Sequence, residues 1–169
     1  MVPGFFMEKK LYTAFLESPV GWLKLTSDSE FILKVEFNNS KEPSGNKLPE
    51  ILIKTKQQLT EYFSGKREKF QLEMKPSGTE FQQKIWKLVE DIPFGKTASY
   101  LEIAKLSGSE KNTRAVGLAN GKNPIPIIIP CHRIIGTNGK LTGYAGGIER
   151  KRWLLQHELT RFKKPGSLF

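Results

Sequence analysis

The sequence has few of the residues that stabilise extracellular proteins, and no segment suited to a membrane. Its 169 residues include one cysteine and two histidines, which excludes an internal disulfide and argues against a structural zinc site. No apolar run approaches the roughly 18 residues that span a bilayer. Residues 1–7 lack the basic start and the apolar length of a signal peptide. We therefore expect an intracellular protein with no metal and no other cofactor, cytoplasmic, or nuclear if its source is a eukaryote.

Positive charge is concentrated in the second half of the chain. The net charge is +10, and residues 1–75 carry 12 basic against 10 acidic side chains, whereas residues 76–169 carry 15 against 7. A basic half favours a polyanionic partner, because each phosphate that it neutralises releases counterions. Taken alone, the charge is still better explained by a solvated cationic surface without a ligand.

The first half predicts a small lobe of sheet and helix. Three short segments rich in aromatic and β-branched residues predict an antiparallel meander: Leu11–Leu16, Gly21–Thr26 and Phe31–Phe37. After a polar loop at 38–49, apolar residues at helical spacing (Ile51, Leu52, Leu59 and Phe63) predict a helix over Pro49–Ser64. A charged connector follows, with a further strand expected at Lys69–Met74. We place the lobe boundary after residue 75.

The second lobe, residues 76–169, is predicted to be mostly helical. Thr79 is the expected N-cap of a helix over Glu80–Asp91. Shorter helices are predicted over Tyr100–Leu106 and Thr113–Gly121, and the turn between them makes a helix-turn-helix. The fold class is therefore α+β: an N-terminal antiparallel-sheet lobe with one helix, and a helical C-terminal lobe with a winged-helix-like helix-turn-helix.

The second helix of this pair has an unusually bare face. Arg114, Gly117 and Gly121 share it, although glycine inside a helix costs about 1 kcal/mol relative to alanine. Such a face suits close approach to a neighbour. Tight packing on another helix and entry into a DNA groove fit the spacing equally well, and the basic half favours DNA.

The segment Asn123–Arg133 carries the chemistry. Its prolines at 124, 126 and 130 exclude a helix and predict an extended, rigid and buried segment, with Cys131 at the floor of a cavity. Most buried lone cysteines are unreactive packing residues. His132 and Arg133 change that expectation, because a reactive thiol needs a proton acceptor or a positive charge close to it.

Two contacts around the cysteine stay open. Neighbouring side chains of an extended chain point to opposite sides, so His132 would need a bridging water or a local turn to reach Cys131. An orienting partner for the imidazole is also expected, and Glu158 in the last helix is the best candidate. On spacing alone, a solvated carboxylate at Glu158 is an equally good interpretation.

Five ordered blocks resemble the O6-alkylguanine-DNA alkyltransferases. The pair Asn123-Pro-Ile-Pro and Pro130-Cys-His-Arg is similar to the active-site signature of that family. Four more blocks match in family order, two before this signature and two after it: Phe94-Gly-Lys-Thr-Ala-Ser-Tyr, Thr113-Arg-Ala-Val-Gly, Gly143-Tyr-Ala-Gly-Gly and Trp153-Leu-Leu-Gln-His-Glu. The match spans about residues 81–158, while the first lobe agrees only in pattern. The resemblance implies a DNA repair protein that moves an alkyl group irreversibly from O6 of guanine to Cys131, once per molecule.

The resemblance also implies a role for each matching catalytic residue. Cys131 would be the nucleophile, and His132 would take its proton through a water while Glu158 holds the imidazole. Asn123 would brace the cysteine segment, and Tyr100 would hydrogen-bond the base and supply a proton. Four residues would wall the pocket for the base: Ile134, Tyr144, Ala145 and Gly146.

Duplex DNA carrying O6-alkylguanine is the implied partner of a monomeric, nucleoid-associated protein. Since the target carbon is inaccessible inside a stacked duplex, the base would be turned out. Arg114 would fill the vacated space from a minor-groove helix. Further DNA-contacting residues expected are Thr113, Ala115, Gly117, Gly121 and Arg133.

Two departures from the family and two rival functions bear on this interpretation. The family often has serine at the position of Ala145, and some relatives bind zinc through first-lobe cysteines and histidines that this chain lacks. A cysteine hydrolase using Cys131, His132 and Glu158 would turn over repeatedly. A DNA-binding regulator or damage sensor would bind lesions without reacting, but such sensors lack the signature cysteine.

Overall fold

An antiparallel three-stranded meander forms the first lobe in the computed structural model, which describes residues 9–43, 45 and 47–162. The strands are β1 (Tyr12–Ser18), β2 (Gly21–Ser27) and β3 (Ile32–Asn38), in that spatial order. Leu23 and Leu25 on the central strand are fully buried, as the period of two along a strand with one covered face requires. The predicted meander is confirmed, with its ends displaced by one or two residues. Positions 1–7, and positions 44 and 46 of the predicted loop, lie outside the described residues.

One helix, α1 (Glu50–Phe63), covers this sheet and confirms the helix predicted there. The residues on its buried face include Ile51, Leu52, Leu59 and Tyr62. The sequence pattern placed Phe63 on this face, but Tyr62 is the fully buried aromatic residue and Phe63 is only partly buried. That difference matters, because a buried tyrosine hydroxyl needs a hydrogen-bond partner.

The strand predicted at Lys69–Met74 is wrong except at its last residue. Met74 forms a single parallel bridge with Ile32 of β3. Upstream, the side chain of Gln58 pairs with the backbone of Gln71, accepting from its N–H at 2.9 Å and donating to its carbonyl at 3.1 Å. These backbone groups are therefore satisfied by a side chain instead of a neighbouring strand.

The second lobe contains α2 (Glu80–Glu90), α3 (Tyr100–Ser107), α4 (Thr113–Gly121) and α5 (Ile148–Phe162). Thr79 and Gln82 form the capping box that starts α2, so the predicted N-cap is confirmed. A single 3₁₀ turn separates α3 from α4, which confirms the helix-turn-helix. Two short parallel strands, β4 (Ala98–Ser99) and β5 (Ile134–Ile135), join the start of α3 to the chain after Cys131.

The two lobes share one hydrophobic core, and the cysteine segment lies at their junction. The backbone N–H of Val35 in β3 donates to the carbonyl of Pro124 at 2.9 Å. Behind the segment, the indole N–H of Trp86 in α2 donates to the carbonyl of Ala119 in α4 at 2.8 Å. In the part of the chain that the structure describes, no helix has the length and apolarity to cross a membrane.

Candidate active site

The cysteine segment reverses direction, so the prediction of an extended segment is wrong. The N–H of Ile129 donates to the carbonyl of Ile125 at 2.9 Å, and residues Cys131–Arg133 form a 3₁₀ turn. Ile127, at the bend, has φ of 73° and is the one non-glycine residue of the described ranges with positive φ. Such a conformation costs on the order of 1–3 kcal/mol and persists where its surroundings hold it. The prolines exclude a helix but do not prevent a turn.

Asn123 holds the two ends of this bend together. Its side-chain N–H donates to the carbonyl of Ile129 at 2.9 Å, and its side-chain oxygen accepts from the N–H of Ile125 at 2.9 Å. The Asn123 side chain thus satisfies the backbone N–H of Ile125 before the bend and the backbone carbonyl of Ile129 after it. This geometry agrees with the bracing role implied for Asn123.

Cys131 is buried, as predicted, with 4% of its surface exposed. Its N–H donates to the carbonyl of Ile129 at 2.7 Å, and its carbonyl accepts from the Asn120 side chain at 3.2 Å. Burial raises the pKa of the thiol to about 11, although a hydrogen bond with Asn123 and the charge of Lys151 act in the opposite direction. Near neutral pH the group is therefore a thiol, and its use as a nucleophile requires a base.

Glu158 lies at the centre of a buried network and is not a solvated carboxylate. Oε2 lies 2.7 Å from His132 Nε2 and accepts from the hydroxyl of Tyr62 at 2.6 Å. Arg133 donates from Nε to Oε1 at 2.7 Å and from Nη2 to Oε2 at 3.1 Å. Burial alone would raise the pKa of Glu158, but His132 and Arg133 together lower it to about 2. The carboxylate is ionised and accepts every one of these bonds.

This network fixes the state of His132. With Glu158 accepting at Nε2, the proton of a neutral ring lies on Nε2 and the lone pair on Nδ1. Burial lowers the pKa of His132 despite the opposing charge of Glu158, so the ring is neutral near pH 7. Nδ1 is itself buried and has no hydrogen-bond partner among the described residues. His132 therefore presents an unused proton acceptor within the same short turn as Cys131.

Arg133, expected among the DNA-contacting residues, has a structural position instead. It is 6% exposed, and besides Glu158 its Nη1 donates to the carbonyl of Ile92 at 2.7 Å. Its guanidinium also lies over the ring of Phe94, 5.7 Å from the centroid. Three of its five N–H donors are engaged in this way and the side chain is almost entirely buried, so the structure places Arg133 inside the site and not on an exposed surface, which corrects the expectation.

Lys151 is a buried cation that the sequence analysis missed. Its ammonium group donates to the carbonyls of Ile134 and Thr142, which flank the predicted base pocket. Burial lowers its pKa to about 8, whereas a negative charge on Cys131 would raise it. Lys151 precedes Glu158 by seven residues, which is about two helical turns. That spacing puts both residues on one face of α5 and was the signal available in the sequence.

Of the four residues predicted to wall the base pocket, Ala145 lines a cavity beside β3, whereas Ile134, Tyr144 and Gly146 do not. This cavity of about 380 Å³ has Asn123, Pro126 and Ala145 in its lining, together with residues of β3. The hydroxyl of Tyr144 is buried, with no hydrogen-bond partner in the described ranges. Gly146 packs against the first lobe, while Ile134 is buried in β5. The hydroxyl of Tyr100 donates to the carbonyl of Thr142 at 3.2 Å.

The residues predicted to contact DNA lie along α4, apart from Arg133. Arg114, Ala115 and Gly121 are exposed, while Thr113 and Gly117 are partly covered. A methyl group added at Gly121 would meet no described atom within 4 Å, and one at Gly117 would make only ordinary contact with the Tyr100 ring at 3.8 Å. Packing within this chain therefore does not require glycine at either position, which weakens the helix-packing alternative.

Comparison with known proteins accounts for both lobes. A family model described as the DNA binding domain of 6-O-methylguanine DNA methyltransferase matches residues 80–160, and its ribonuclease-like domain matches residues 11–76. The methylated-DNA–protein-cysteine methyltransferase of Methanosarcina acetivorans is 45% identical over 153 residues, covering 88% of this chain and 98% of that protein.

Solved structures agree with these matches. The crystal structure of Mycobacterium tuberculosis O6-methylguanine methyltransferase has a TM-score of 0.82 at 42% identity, covering 94% of this chain and 97% of that chain. A crystal structure of the Mycobacterium tuberculosis protein OGT in complex with DNA has a TM-score of 0.79 at 44% identity, covering 87% and 92%. With a buried cysteine beside a His–Glu pair and this likeness over both lobes, the chain belongs to the O6-methylguanine DNA methyltransferase family.

Proposed function

We propose that Cys131 accepts an alkyl group from O6 of guanine in double-stranded DNA, irreversibly and once per molecule. The activity of the chain is that of a methylated-DNA–protein-cysteine methyltransferase, the direct repair of O6-methylguanine in DNA. We extend the substrates to alkyl groups somewhat larger than methyl. The single observation that carries the residue assignment is the buried contact between Glu158 of α5 and His132, which lies in the same turn as Cys131.

The proposed reaction is an in-line displacement at the alkyl carbon. The sulfur of Cys131 forms a new bond to carbon while the bond from carbon to O6 breaks, and the bonding electrons leave with guanine. The thiol proton moves to Nδ1 of His132 through a water, and Glu158 stabilises the resulting imidazolium. Since the thiol itself is the acceptor, no cofactor is needed.

Negative charge on the departing oxygen needs hydrogen-bond donors. We assign this role to the hydroxyl of Tyr100, which would exchange its present bond to Thr142 for one to the base, and to the backbone N–H near Ala145. A backbone donor would make the missing serine hydroxyl at position 145 tolerable. Ile134, Tyr144 and Gly146 complete the proposed wall of the pocket, and Asn123 keeps the cysteine turn in place.

DNA binding is assigned to α4 in the minor groove. Arg114 would occupy the space left by the everted base, and the bare surface at Gly117 and Gly121, with Thr113 and Ala115, would allow the helix to approach the groove closely. We take residues 1–75 and 76–169 as the two lobes of a monomer. Its place would be the cytoplasm at the nucleoid, or the nucleus in a eukaryote.

A titration separates this function from its rivals. Increasing amounts of an oligonucleotide with one O6-methylguanine are mixed with a fixed amount of protein, and repaired guanine is counted. Transfer to Cys131 predicts a plateau at one equivalent, whereas repeated turnover would support a hydrolase and contradict the proposal. Cys131→Ser is expected to bind the oligonucleotide with unchanged affinity and to repair no guanine. Repair that persists in this variant would also contradict the proposal.

A further inference from the structure

The aromatic ring of Phe37, on β3 of the first lobe, is packed directly against the base-pocket loop of the second. A methyl group added at Gly146 would lie 2.6 Å from Cε2, 2.9 Å from Cδ2 and 3.0 Å from Cζ of that ring. Carbon atoms in contact are normally 3.5–4.0 Å apart. The ring therefore occupies the place of a side chain at position 146, and glycine is required there by a residue more than 100 positions earlier in the chain.

Two further contacts hold the same loop from the same side. The ring of Tyr144 meets Phe37 edge to face, with centroids 5.9 Å apart. The guanidinium of Arg150 lies over the Phe37 ring, 4.8 Å from its centroid. Arg150 also donates to the carbonyl of Gly146 at 2.9 Å and to the carbonyl of Val20, in the turn between β1 and β2, at 2.8 Å.

These contacts join the first lobe to the loop that carries Tyr144, Ala145 and Gly146. Phe37 of β3 and Ala145 of this loop also line the same cavity, together with Asn123. The position of this loop is thus set by the Phe37 ring and the Arg150 guanidinium, and Gly146 leaves the space that the ring occupies. None of these contacts is predicted by the family blocks of the second lobe, because each depends on the sheet of the first.

We propose that Phe37 is a positioning residue for the transfer reaction, and that its ring sets the place of Tyr144–Gly146 and so limits the size of the alkyl group that reacts. The proposal rests on the proposed function. A loop held close to the everted base favours the small methyl group, since misplacement of about 1 Å can cost on the order of 100-fold in rate. With the ring removed, the loop can move outward and admit a larger group.

The test compares second-order rates for oligonucleotides with O6-methylguanine and O6-benzylguanine. Phe37→Ala is expected to slow the methyl reaction by about 10- to 100-fold and to raise the ratio of benzyl to methyl rates. Phe31→Ala is the matched control, because it removes a partly buried ring from the same lobe, just before the opposite end of β3. It should leave the ratio unchanged. Equal ratios in the two variants would overturn the proposal.

A double-variant cycle tests the contact itself. Gly146→Ala alone is expected to lower the methyl rate by at least 10-fold, because the new methyl group would collide with the Phe37 ring. Combined with Phe37→Ala, which removes all three colliding atoms, it should recover several-fold of that loss. A double variant no faster than Gly146→Ala would overturn the proposal. If the unaltered chain transferred no alkyl group to Cys131, the proposed function would fail instead, so the two failures are distinguishable.

Discussion

Oε2 of Glu158 lies 2.7 Å from Nε2 of His132, and both side chains are buried from solvent. The contact leaves Nδ1 of the imidazole as the only ring nitrogen that can accept a proton. A thiol whose pKa is raised to about 11 lies in the same turn. In the proposed mechanism, this pair would allow a buried cysteine to react near neutral pH, because the proton would leave through the histidine as the new bond forms.

Glu158→Gln tests the carboxylate. The amide keeps the shape but removes the charge that stabilises the imidazolium, so the transfer rate should fall by about 100-fold or more. The buried guanidinium of Arg133 would lose its counter-charge, which typically costs about 3–5 kcal/mol of stability. Single-turnover kinetics and urea unfolding measure the two effects. Tyr62→Phe is the matched control, because it removes one donor to Glu158 and keeps the carboxylate. It should lower the free energy of unfolding by about 1–3 kcal/mol, and its transfer rate should fall far less than that of Glu158→Gln.

The pH dependence of the transfer rate should be bell-shaped. Burial lowers the pKa of His132 below its usual 6.5, so the rate should rise as pH increases through that lower value and the ring becomes neutral. Burial also lowers the pKa of Lys151 to about 8. Its charge favours the developing thiolate, so the rate should decline above that pH. A rate that rises steadily toward pH 11 would mean that the thiol ionises without the histidine.

Lys151→Met should remove the alkaline limb of that profile. The variant loses the positive charge that lowers the pKa of the Cys131 thiol, and we expect a rate about tenfold lower at pH 7, equivalent to about one pKa unit of thiolate stabilisation. The carbonyls of Ile134 and Thr142 would lose a hydrogen-bond donor, which should lower the free energy of unfolding by about 1–3 kcal/mol. Rates measured from pH 6 to 9 provide the check. Persistence of the decline near pH 8 in the variant would assign it to another group.

Arg114→Ala tests the proposed eversion of the base. The variant should react about tenfold or more slowly with O6-methylguanine in a duplex, because unstacking costs a few kcal/mol that the inserted side chain offsets. The free modified base needs no eversion, so its rate should be unaffected. Lys54→Ala removes an exposed cation from α1 and serves as the charge-matched control. Equal slowing with the duplex and the free base would argue against a role in eversion.

Local signals made much of the fold predictable. The cap at Thr79, the spacing of apolar residues in α2 and the bounds of α4 are encoded within a few residues, and each was found in the structure. The bend at Ile127 was not predicted, because the neighbouring prolines exclude a helix but do not determine which other backbone conformation the segment adopts. The Gln58–Gln71 pairing replaced a predicted strand, since a side chain 13 positions away supplied the hydrogen bonds.

Site residues that lie close together in the sequence could be predicted, whereas contacts between distant parts of the chain could not. Cys131, His132 and Asn123 lie within eleven residues, and the structure brings them together as the motif implies. Tyr62 donates to Glu158 from 96 positions away, and nothing in its own helix indicates that partner. Arg133 was expected at the DNA, yet its short distance to Glu158 follows only from the packing of α5 against the cysteine turn.

The central claim is that one sulfur receives the alkyl group. Protein is mixed with a duplex oligonucleotide carrying O6-methylguanine, and its intact mass is measured before digestion and peptide mapping. We predict a single mass increase, equal to a methyl group replacing one hydrogen, on the peptide that contains Cys131. An unchanged protein mass after repair of the base, or the methyl group on any other peptide, would contradict the account.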